Sequence, residues 1–168
     1  WERMKETPEA VGETVQALRR LVRVHPDDTQ SVSRLVNIYL QVGEFGLAEE
    51  LAKSWLAAAP GSADAVLAAA RAAHGLHKDA DAARGLAEAI TKAPGETRLY
   101  PPLIELLVDR LERKDEAAAW LDKALRGGSK SHEIQMAAFF FHHRTGDATK
   151  AEGSLKRALE LAPEAVSV

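Results

Sequence analysis

The stretch Val32–Gly61, VSRLVNIYLQVGEFGLAEELAKSWLAAAPG, decides the fold. Val32, Leu35, Val36 and Tyr39 recur at the three- and four-residue spacing of one helix face, and Gly43-Glu44 then breaks the helix. A second run, Leu47, Ala48, Leu51, Ala52, Trp55 and Leu56, stops at Pro60-Gly61. Proline cannot continue a helix without losing a backbone hydrogen bond and clashing with the preceding turn. The stretch is therefore two helices joined by a short turn.

The same plan returns along the chain. Pro26, Pro60, Pro94, Ser129 and Pro163 follow one another at steps of 34, 34, 35 and 34 residues. Three columns run ahead of them in the same register: Thr14, Ala48, Ala82, Ala117, Ala151; Leu18, Ala52, Leu86, Leu121, Leu155; and Leu21, Trp55, Ala89, Ala124, Ala158. A fixed period of this size marks stacked repeats, in which each unit touches its neighbours and function resides in a surface more often than in a pocket. The expected organisation of the 168 residues is one array: a partial repeat over 1–28, repeats over 29–62 and 63–96, an irregular repeat over 97–131 and a last repeat over 132–165.

Composition sets the outer bounds. With 46 % apolar and 28 % charged residues the chain can build a core. A net charge of -3 argues against a nucleic-acid partner, whose electrostatic footprint is basic. Cysteine is absent, which removes disulfides and thiolate metal sites and leaves the compartment open between cytoplasm and periplasm. No apolar run is long enough for a direct membrane span.

These residues resemble the tetratricopeptide repeat (TPR). Its pattern has Leu and Tyr four apart in the first helix, Gly-Asp at the turn, two Ala in the second helix and Pro at the end. Leu35, Tyr39, Gly43, Glu44, Ala48 and Pro60 fill those places in one unit, and Ala138, Gly146, Asp147, Ala151, Ala158 and Pro163 in the last. The resemblance covers roughly residues 29–165. It implies an all-α, TPR-type α-solenoid: a right-handed superhelix of antiparallel helix pairs. Alanine at a helix crossing lets backbones approach where a larger side chain would clash.

Departures from the pattern are specific. Trp55 stands where a small residue is usual, which predicts spread or rotated helices there. Pro101-Pro102 pushes the start of a helix to about Pro101, because proline is tolerated only in the first turn. The same unit carries one extra residue near Leu111–Asp115, and a change of superhelical curvature is expected at this point. Residues 8–25 read as a second-type helix, with Thr7 as N-cap, Pro8 in the first turn and Pro26 as stop. Gly127-Gly128-Ser129 takes the place of a proline stop. The mostly missing partner of the first helix, and the lack of a polar capping helix after Pro163, lead us to expect a piece of a longer array.

Catalytic motifs are absent. The chain has no G-x-S-x-G, G-x-x-x-x-G-K-[ST], H-E-x-x-H or G-x-G-x-x-G, so neither an enzyme nor a cofactor is expected. Gly127-Gly128-Ser129-Lys130 has the wrong glycine spacing for a phosphate loop and reads as a helix-ending turn. His74 and His77, three apart, and the adjacent His142-His143 lack the convergent company a metal needs. His142 occupies the place of Tyr39, which makes it a packing residue or a ligand contact. In the aromatic run Phe139-Phe140-Phe141, the register sends Phe139 into its own unit and Phe141 toward a neighbour. Phe140 is left as either core or an exposed anchor for a partner.

In the TPR family the first helix of each unit lines a concave groove through its second, fifth, ninth, twelfth and thirteenth positions. Carried onto this chain, the resemblance implies a partner-binding groove of Asn37, Gln41, Arg71, His74, Arg98, Glu105, Asp109, Met136, Phe140, His143 and Arg144, with Val108 among its further positions. The two-carboxylate clamp of co-chaperone TPR proteins falls here on Ser33, Asn37, Ala68, Arg98 and Pro102, too few donors to fix a terminal carboxylate. The resemblance thus implies a non-catalytic scaffold for a protein or peptide partner. Alanine richness and an excess of Arg over Lys point to a high-GC bacterial source, and the resemblance implies a setting such as envelope assembly for exopolysaccharide or pilus export. The alternative is a structural spacer or self-assembly module, with a homodimer through uncapped array ends. RNA reading by helical repeats is disfavoured by the acidic balance.

Overall fold

The computed structural model describes residues 8–128 and 130–162. Thr7, Ser129 and Pro163, read above as one cap and two stops, lie outside them. Regular structure among the described residues is helical throughout, and the chain divides into two compact units at Leu76/His77.

The first unit holds α1 (Pro8–Val24), α2 (Thr29–Gln41), α3 (Phe45–Ala58) and α4 (Ala63–Gly75). Its core is Leu18 of α1, Val32, Leu35, Val36 and Tyr39 of α2, Ala48, Ala52 and Trp55 of α3, and Ala65, Ala68 and Ala72 of α4, while Leu47 of the second apolar run is exposed. The small residues sit at the contacts of α3 with α2 and α4, where each helix packs on the next. Trp55 is seated in this core, and its indole Nε1 has no hydrogen-bond partner among the described residues. Asp28 caps α2 by accepting from the Gln30 and Ser31 amides at 3.2 and 3.3 Å and from the Ser31 hydroxyl at 2.6 Å. Those bonds hold the Asp28 carboxyl below its ordinary pKa, the Ser31 hydroxyl most of all.

The second unit holds α5 (Asp79–Lys92), a 3-10 turn (Thr97–Leu99), α6 (Tyr100–Asp109), α7 (Lys114–Gly128), α8 (His132–Thr145) and α9 (Ala148–Leu161). Leu86 and Ile90 of α5, Leu103, Ile104 and Leu107 of α6, Leu121 of α7 and Ile134 of α8 are among its buried side chains. Here α6 packs against α5, α7 and α8, so it meets both its partner α7 and the first helix of the following pair. Pro101 and Pro102 fall in the first turn of α6, one residue inside the start at Tyr100. The helix runs through Gly127 and stops only at Gly128, so the glycine pair is the last turn of α7 and not a break before it.

Two local rules end the helices. Ala59 and Ala93 leave the helical region (φ -135 and -134°) just before Pro60 and Pro94, because a following proline crowds the helical conformation of the residue ahead of it. Ala162 does the same, at φ -144°. Four residues between consecutive helices are left-handed: Gly43 (φ 79°), His77 (59°), Glu112 (54°) and Gly146 (84°). The Glu44 and Asp147 amides close their tips on Tyr39 and His142 carbonyls at 2.9 Å, five residues back. Arg113 closes its tip on Leu107 at 2.7 Å, six residues back. The stretch between α6 and α7, residues 110–113, overlaps the Leu111–Asp115 span inferred from sequence for the extra residue.

Candidate functional site

Helices α6 and α8 lie side by side in the second unit and leave a cleft of about 180 Å³ between them. It is lined by Ile104, Glu105, Val108 and Asp109 from α6 and by Phe140, Phe141 and Arg144 from α8. Spacing explains who points in. Glu105 and Asp109 are four apart and share a face of α6, as Phe140 and Arg144 share one of α8. Ile104 and Val108 are buried and Phe141 is half-buried, making an apolar floor. Phe140 stands at the rim, 42 % exposed, although it is one of the large apolar side chains of the chain.

Charge is unevenly satisfied around this floor. Arg144 reaches across from α8 to the Asp109 carboxylate at 3.3 Å. Glu105 makes no hydrogen bond or ion pair among the described residues. Loss of solvation pushes its carboxyl above the usual range, the neighbouring Asp109 charge adds to this, and Arg144 pulls part of the way back. The site is thus an apolar cleft with one surplus, partly desolvated carboxylate at its mouth.

Of the residues placed in a groove by the register, Glu105, Asp109, Phe140 and Arg144 come together here. His143 is exposed behind them, its ring stacked on Phe139 at 5.8 Å. Met136 is half-buried on α8 outside the cleft, and Arg98 lies in the 3-10 turn, 3.9 Å from Glu96. Asn37 and Gln41 on α2 and Arg71 on α4 are exposed in the first unit, and His74 on α4 is half-buried there. The groove positions implied by the resemblance do not include Ile104 and Phe141, which line the cleft. Their signal was present, since Phe141 reads as packing toward a neighbour, but apolar residues at core spacing give no sign that a cleft opens over them.

His142 packs edge-on against Phe141 at 5.4 Å. Desolvation lowers its pKa most, Lys150 adds to this, and Asp147 and Asp122 oppose it. Among the described residues no three His, Asp or Glu side chains gather to hold a metal ion, and no helix is long and apolar enough to cross a membrane.

No protein-family model matches the sequence, and no curated protein matches it. Solved structures do. The crystal structure of MamA is similar over 100 % of this chain and 99 % of its own, with 18 % identity and a TM-score of 0.68. TTC0263, a thermophilic TPR protein in Thermus thermophilus, is similar over 93 % of this chain and 85 % of its own, with 21 % identity and a TM-score of 0.71. A tetratricopeptide repeat protein from Parabacteroides merdae is similar over 90 % of this chain and 60 % of its own, with 17 % identity and a TM-score of 0.67. Likeness at these identities is likeness of fold. The chain has an all-α, TPR-type fold.

Proposed function

We propose that the chain is a non-catalytic protein-interaction scaffold that binds a peptide or a partner domain on the face lined by the first helices of its pairs. The observation that carries this reading is the α6/α8 cleft, where Phe140 is held in solvent above an apolar floor and beside three charged side chains. An exposed aromatic over a concave apolar surface is the usual anchor point of a protein contact. As setting we propose the assembly of bacterial envelope or export machinery, on the resemblance and composition alone. The test is selection from a random-peptide display library. Enriched peptides whose binding is lost in the Arg71→Glu, Phe140→Ala variant support the reading. No enrichment, or binding unchanged in that variant, overturns it.

A second reading, self-association, is favoured by α1. Leu21 is 40 % and Val24 69 % exposed there, although Trp55, Ala124 and Ala158 in the same repeat column as Leu21 are buried. Light scattering on the chain and on a Leu21→Glu, Val24→Glu variant separates the two readings. A dimer that becomes a monomer in the variant supports self-association, and a monomer in both rules it out.

A further inference from the structure

We infer that the α6/α8 cleft is a receptor for a basic side chain, and that the partner segment it fits carries Arg or Lys next to an apolar residue. This rests on the reading of the chain as a peptide-binding scaffold and goes beyond it by naming the chemistry of the partner.

Three observations converge on a cation. The charged groups lining the cleft are Glu105, Asp109 and Arg144, two carboxylates against one guanidinium. The guanidinium is taken up by Asp109, at 3.3 Å, which leaves Glu105 as the side chain without a hydrogen bond or ion pair among the described residues. Phe140 lines the same cleft, 42 % exposed, with its ring tilted against Phe139 at 5.2 Å. A carboxylate that has lost part of its hydration and found no partner gains more from an arriving donor than a fully hydrated one does. An exposed aromatic ring attracts the same class of group through its face.

The floor selects the shape of the visitor. Ile104 and Val108 are buried below Glu105, so the stem of an arginine or lysine finds apolar contact while its head stays at the mouth. A cavity of about 180 Å³ holds one side chain, not a peptide backbone. The neighbouring apolar residue of the partner is left to cover the exposed part of Phe140. An acidic segment meets a surplus of like charge at this point and is rejected. The site is therefore opposite in sign to a carboxylate clamp.

Random heptapeptides displayed on phage, panned in parallel on the chain and on its Glu105→Gln variant, test this. Glu105 is exposed on α6 and the amide is its isostere, so the variant folds. The expected result is enrichment of Arg or Lys beside Leu, Ile, Val or Phe on the chain and loss of that enrichment on the variant. Synthetic copies of the enriched peptides should bind the variant about tenfold more weakly or worse, the effect of removing one charged hydrogen-bond partner. Replacing their basic residue by Glu should weaken binding at least as much. Enriched peptides without a basic residue, still dependent on Phe140, overturn the cation preference and leave the scaffold reading standing. Basic peptides that bind Glu105→Gln as well as the unaltered chain also overturn the preference. Absence of enrichment on either protein overturns both readings.

Discussion

The ring of Phe45, the first residue of α3, lies where any side chain at Gly75, the last residue of α4, would go. A β-carbon at 75 runs directly into that ring, so the helix pair closes at this point only because one residue has no side chain. Gly85, in the body of α5, has nothing within 4 Å of a β-carbon. The two glycines should respond oppositely to one methyl group. Gly85→Ala should raise stability by about 1 kcal/mol through helix propensity. Gly75→Ala should lower it by about 1–3 kcal/mol through overpacking, less the same propensity gain. Urea midpoints of the two variants, with Phe45→Leu added to Gly75→Ala as the rescue, check this.

Tip residues His77 and Glu112 hold a left-handed backbone that their β-carbons disfavour. Glycine in either place should stabilise the chain by about 0.5–1 kcal/mol, the relief of that conformation less the extra freedom of glycine when unfolded. Gly43→Ala and Gly146→Ala should do the reverse, by about 1 kcal/mol. A thermal melt of all four single variants gives the signs directly.

Trp55 contributes a large apolar surface and one orphaned donor. Trp55→Phe removes the donor, and the relief of about 1–3 kcal/mol offsets much of the lost contact. It should therefore cost far less than Trp55→Ala, for which about 3–5 kcal/mol is expected. Equal losses in the two variants would show that the indole N–H is satisfied in solution.

His142 and Glu105 each give stability a pH dependence of known sign. The pKa of His142 is lower in the folded chain than in the unfolded one. Folding is therefore indifferent to it above the ordinary imidazole value and loses stability as pH falls from there to the lowered one. Glu105 has a raised folded pKa, so its cost is absent below the ordinary carboxyl range and grows as pH rises through it to the raised value. Glu105→Gln should thus stabilise at neutral pH and converge with the unaltered chain in acid. His142→Phe should flatten the curve just below the ordinary imidazole value. Denaturant titrations at several pH values read both differences.

Much of the fold was legible because the repeat states the same residue choices several times. Leu35, Tyr39 and Ala52 mark buried faces, and Pro60 and Pro94 each draw the alanine before them out of the helical region. Both effects are local or nearest-neighbour, which is the range a single sequence conveys. The cleft was legible in part. The groove positions implied by the TPR resemblance include Glu105, Asp109, Phe140 and Arg144, and residues four apart share a face of their own helix. Register did not show that Arg144 is engaged by Asp109 and that Glu105 is left over, because pairing depends on distances of a few ångströms between helices. Nor did it show the reach of Phe45 over Gly75, a contact between two residues that belong to different repeats.

The longer tip between Leu107 and Arg113 has a consequence for how such a chain changes length. An added residue there is absorbed within one loop, and Ala117, Leu121 and Ala124 of α7 still reach the interior. The tip acts as slack in an otherwise phased sequence, a place where letters can be inserted without shifting the reading of the next helix. Tags, reporters or cleavage sites placed between Arg110 and Arg113 should leave the packing of both neighbouring helices in step.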